Sequence, residues 1–148
     1  MKRSNLFGYL LVTCLLTAAP LLASNEHTTF TGGIGAFNPC NGTLVTAFGP
    51  VDIVVETNTS SDTRHVTVHH LFRADGSATN GDSYGMSFMA NSNFDAVASF
   101  YDLFYHAVLV GKGSAPNFSI EGNIRVFVNP EGKATGSIIT TLSSSCTQ

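Results

Sequence analysis

A chain of 148 residues, 43% apolar and only 11% charged, has the length of a single domain. Its formal charge is −3, and the only basic residues beyond position 23 are Arg64, Arg73, Lys112, Arg125 and Lys133, set against ten carboxylates. A polyanion such as nucleic acid would be repelled by that balance, so no nucleic-acid partner is expected.

Residues 1–23 open with Lys2 and Arg3, continue as an apolar run from Leu6 to Ala23 and end in small residues. That is the layout of a secretory signal peptide, with cleavage expected after Ala23 or Ser24, and it implies a secreted or periplasmic protein with no membrane span after cleavage. Two alternatives keep the chain at a membrane. The run is long enough to span a bilayer if it stays uncleaved, although Thr13, Thr17 and Pro20 weaken it. Cys14 follows Leu11-Val12-Thr13 and faintly imitates a lipid-modified cysteine, but Thr at the preceding position fits poorly.

Residues 24–39 contain TFTGGIGAFNP, a glycine-rich lead-in that reads as a strand or as cover for a sheet edge. The single β domain is expected over 40–148. It begins with TLVTAF (43–48), the break Gly49-Pro50, and VDIVVET (51–57). After the polar turn NTSSDT come RHVTVHHLF (64–72), the turn-rich ADGSATNGD and SYGMSFMA (83–90). The segment 91–111 is ambiguous. Val97, Phe100, Tyr101, Phe104 and Val108 would make a helical stripe, but its density of Phe, Tyr and Val favours a long strand or a bent pair of strands. SIEGNIRVFV (119–128) and KATGSIITTL (133–142) flank Asn129-Pro130-Glu131-Gly132, whose Pro and Gly placement predicts a hairpin with a bulge. Short strands separated by Gly, Asn, Asp and Pro predict an all-β fold, an antiparallel β-barrel or alternatively a β-sandwich. Closure of the barrel would remove its edges.

Only Cys40 and Cys146 remain once the signal is removed, and an even pair in an exported protein implies a disulfide joining the two ends of the domain.

Three of the five histidines fall in His65-Val66-Thr67-Val68-His69-His70. On a strand, His65 and His69 share a face but stand about 13 Å apart, too far to chelate one ion, while His69 and His70 point to opposite faces. No metal site and no cofactor are therefore expected. His70 shares its face with Val66, Val68 and Phe72 and is the imidazole expected to point inward. A strand over the next aromatic segment puts Asp102 and His106 on one face with Phe100, Phe104 and Val108. With Tyr84, Phe72 and Phe88 also expected inside, the candidate ligand-binding residues are His70, His106, Tyr84 and Asp102. No G-x-S-x-G, H-E-x-x-H or G-x-x-x-x-G-K-[ST] pattern is present, so no catalytic residue can be named.

Asn38-Pro39-Cys40-Asn41-Gly42 and Gly113-Ser114-Ala115-Pro116-Asn117-Phe118, with the His-rich strand and the last hairpin before Cys146, resemble a group of small secreted bacterial proteins. The resemblance covers Asn38 to Cys146. It implies a secreted domain with cysteines near both ends and brings no active site to these residues. Three functions fit the sequence: a barrel binding a small apolar ligand, a structural or protein-interaction domain at the cell surface, and a hydrolase or isomerase without a recognisable motif.

Overall fold

In a computed structural model, residues 23–60 and 63–147 are described. Residues 1–22, which hold Cys14 and nearly all of the segment read as a signal peptide, lie outside the described residues. Seven strands follow one another: β1 (Ser24–Asn38), β2 (Thr43–Ser60), β3 (Thr63–Ala78), β4 (Ser83–Phe94), β5 (Phe100–Gly111), β6 (Phe118–Val128) and β7 (Ala134–Cys146). They form a single sheet in the order β1-β2-β3-β4-β5-β6-β7, every neighbouring pair antiparallel, and the sheet curls into a half-barrel. Among the described residues there is no helix, so 91–111 is resolved as the ends of two strands separated at Asp95–Ser99.

Burial follows the two-residue period of the strands. Along β3, Val66, Val68, His70 and Phe72 are buried and alternate with Thr67, His69 and Leu71, and along β5 every odd residue from Tyr101 to Leu109 is buried. The inward rows merge into one apolar core drawn from all seven strands. Burying a large aliphatic or aromatic side chain contributes about 1.5–3 kcal/mol, which makes this alternation the principal stabilising pattern.

Three local expectations change in the structure. The segment 24–39, read as a strand or as edge cover ahead of a domain starting at residue 40, holds the sheet's first strand, with every residue of β1 in register with β2, from Ser24 opposite Thr57 to Asn38 opposite Thr43. The folded sheet therefore starts at Ser24 and not at Cys40. Gly49-Pro50 does not end a strand, because β2 runs through it. Pro50 has no N–H to give, and pairing with β3 lapses between Phe48–Asp75 and Val51–Phe72 while pairing with β1 continues through Thr31–Pro50. Gly49 is needed there, since a Cβ would meet Ala74 Cα at 2.9 Å and press on the Arg73 carbonyl. The turn after β3 is also shorter than expected, closing at Asn80-Gly81 with Gly81 N–H donating to Ala78 O at 2.9 Å.

The last hairpin forms as the sequence predicts. Gly132 adopts φ 86°, its N–H donates to Asn129 O at 2.9 Å, and the register shifts between Phe127 and Val128. This is the expected turn followed by a bulge.

The barrel does not close by hydrogen-bonded pairing. Among the described residues no ladder joins β1 to β7; the two edges lie alongside each other and are tied near both ends. Near one end the Thr28 hydroxyl donates to Ala134 O at 3.1 Å. At the other, Cys40 in the β1–β2 turn and Cys146 at the end of β7 stand at disulfide distance, with Cα atoms 5.3 Å apart.

A bond there closes a loop across 106 positions of sequence. Replacing both residues (Cys40→Ser with Cys146→Ser) should lower the unfolding free energy by about 2–5 kcal/mol in urea titrations. Non-reducing mass spectrometry of exported protein should find a mass two hydrogens below the thiol form, and labelling of both thiols in that material would contradict the pairing.

Candidate functional site

Along the seam between β1 and β7 a cavity of about 450 Å³ opens. Its walls are apolar: Phe30 and Ile34 from β1, Val51 from β2, Phe72 from β3, Phe88 from β4, Ile124 from β6, and Ile139 and Leu142 from β7. Gly32, Gly33 and Gly35 form the β1 side. Gly32 faces inward, and a Cβ at that position would come within 2.6 Å of Val51 Cγ2 and 3.7 Å of the Phe72 ring. Val51 therefore occupies the place that a side chain at position 32 would take.

Two polar side chains converge on the cavity. His70 is 3% exposed and lies in register between Ile53 and Ala90, which are themselves buried. Its Nε2 lies 3.1 Å from Ser137 Oγ, a contact that reaches across the interior from β3 to β7. The imidazole stacks on Phe88 with centroids 5.8 Å apart and planes 8° from parallel, and Phe88 stacks in turn on Tyr105 at 4.9 Å. His70 Nδ1 and Tyr105 Oη are enclosed without a hydrogen-bond partner. Burial drives His70 down to about 4, offset in part by its own backbone, and pushes the Tyr105 hydroxyl up to about 12.

The other expected site residues stand elsewhere. Tyr84 is fully buried, but its hydroxyl accepts a hydrogen bond from Asn38 Nδ2 at 3.0 Å and its ring packs edge-on against Phe118 at 5.7 Å. Asn38 Oδ1 accepts the Cys40 N–H at 2.9 Å, so this cluster braces the cysteine end of the sheet. Asp102 and His106 are on the outer face. Arg125 clamps the Asp102 carboxylate with two bonds of 2.8 Å and holds it below the usual carboxylate range, while its guanidinium lies 4.1 Å over the Phe100 ring. His106 borders a shallow outer groove where β4 and β5 part. Phe104, expected inside, is 62% exposed.

The physical reason is parity. β5 carries large apolar residues in both rows, and the core takes Tyr101, Leu103, Tyr105, Ala107 and Leu109, leaving Phe100, Asp102, Phe104, His106 and Val108 outside. Sequence reasoning missed Ser137 and the role of the β1 glycines. Ser137 belongs to a Ser/Thr-rich strand in which nothing distinguishes it, whereas the cluster Gly32-Gly33-Ile34-Gly35 was a legible signal of missing bulk.

Chemically, Ser137 beside His70 has the first contact of a nucleophile and base, but Nδ1 has no carboxylate behind it to fix the ring or raise its basicity. An imidazole that titrates near 4 is a weak base, and the pair suits hydrogen bonding better than proton abstraction. No family model matches the chain, and no curated protein or solved structure matches it either.

The His70 environment predicts a pH dependence of stability. Its folded value lies below the ordinary 6.5, so between pH 6.5 and 4 the unfolded chain binds a proton that the folded chain refuses. Stability should therefore fall as the pH drops through that window, by roughly 3 kcal/mol from this group at its lower end. Urea titrations of the protein and of His70→Phe at several pH values should show this component in the former and not in the latter.

Proposed function

We propose that the protein is an exported β domain that binds a small, mostly apolar molecule in the cavity along the β1–β7 seam, with His70 and Ser137 as its polar contact. The observation that carries this reading is a seam cavity of about 450 Å³ whose lining side chains are apolar except for one converging polar pair, His70 and Ser137. That volume lies within the range of small-molecule sites, about 300–1,000 Å³, and the arrangement of apolar walls with few polar groups is typical of them. Export is supported by the amino-terminal segment and by the Cys40–Cys146 pairing at disulfide distance.

A thermal-shift screen with small apolar and amphiphilic compounds tests the proposal, because a ligand selective for the native state raises the melting temperature. His70→Phe should fold and bind a hit roughly 3- to 10-fold more weakly, the cost of one net hydrogen bond. Gly32→Val overlaps Val51, must displace that cavity-lining side chain, and should weaken binding by about tenfold or more. Absence of any shift across the screen would remove the ligand reading.

A second reading, an interaction domain at the cell surface, draws on the outer face, where Met89 is 63% and Phe104 62% exposed. The two readings separate by mutation. A ligand shift that survives Met89→Ser and Phe104→Ser but falls in His70→Phe belongs to the cavity.

A further inference from the structure

Resting on the cavity reading above, we infer that the seam pocket selects an uncharged ligand, an aromatic or ring-bearing alcohol, carbonyl compound or amide, which sets its ring against the apolar side chains and its polar group on Ser137 and His70. The first support is the lining. Among the described residues that border the cavity, none is Asp, Glu, Lys or Arg, and the only side chains able to hydrogen-bond are His70 and Ser137. A carboxylate or ammonium brought inside would give up hydration at a lining that offers no side chain of opposite charge, and isolated buried ions are costly.

The polar pair itself is neutral. The imidazole is enclosed among Ile53, Ala90 and Phe88, so it offers a dipole and no charge to an incoming group. Both tautomers leave Ser137 with capacity to spare. Where Ser137 donates to Nε2, its oxygen still accepts from a ligand hydroxyl; where Nε2–H donates to Ser137, the serine proton is free for a ligand carbonyl. A neutral hydroxyl, carbonyl or amide can use either state.

Among the described residues, the mouth offers no charged side chain to pair with an ionic head either. Its rim on β7 carries Ile138 and Leu142, 53% and 36% exposed, and its rim on β1 is glycine. The His70 ring, Phe72 and Phe88 also border the cavity, and their aromatic contacts favour a ring-bearing ligand over a flexible chain.

The test is calorimetric titration of the purified protein at neutral pH with three probes of one skeleton: 2-(2-naphthyl)ethanol, 2-naphthylacetate and 2-(2-naphthyl)ethylamine. The alcohol should bind roughly a hundredfold more tightly than the carboxylate and the ammonium, reflecting the desolvation of an unpaired charge. If either ion binds within about threefold of the alcohol, the selection for uncharged ligands is overturned and the cavity reading stands. If none of the three binds at millimolar concentration, the cavity reading and this inference fall together.

Discussion

Seven antiparallel strands in sequence order leave the first and the last running in the same direction, and most of what distinguishes this molecule follows from that constraint. A hairpin cannot join parallel edges, and a parallel ladder between β1 and β7 is absent among the described residues. The sheet instead curls until its edges touch at Thr28 with Ala134 and at Cys40 with Cys146. Between those ties no backbone ladder seals the two strands, and the seam cavity opens there. The cavity is thus a consequence of strand number as much as of side-chain choice.

The polar groups inside the barrel divide accordingly. At the cysteine end, Asn38 satisfies Tyr84 and the Cys40 backbone, so burial of those groups is compensated and the end is rigid. Midway along the seam, His70 meets only Ser137, and its Nδ1 and the Tyr105 hydroxyl remain unpartnered on either side of Phe88. Unsatisfied buried donors and acceptors cost about 1–3 kcal/mol each. A fold that tolerates them beside the seam cavity retains polar groups that pure packing would have replaced by hydrocarbon.

The outer face is not the simple polar complement of the core. Arg125 ties Asp102 and covers Phe100, Lys112 pairs with Asp75 at 3.0 Å, and His65 pairs with Asp95 at the same distance. These contacts sit among exposed Met89, Phe104, Val110 and Phe127. They set the surface charge pattern, and exposed pairs of this kind contribute little to stability.

The sequence by itself determined the fold class, the inward orientation of His70, the final hairpin and the two cysteines available to pair. Each rests on a local rule: alternation at period two, the conformational demands of Pro130 and Gly132, and the presence of only two cysteines after position 23. The tertiary structure decided the rest, because it depended on partners distant in the chain. Which row of β5 faces inward was undecidable locally, since both rows carry aromatic and aliphatic residues, and the choice excluded Asp102, Phe104 and His106 from the interior. That Ser137 meets His70 required β7 to curl back against β3's face across 67 positions of sequence. That Gly32 marks an opening required β1 to be an edge whose neighbour runs parallel to it, a relation set by the number of strands and invisible in any one of them.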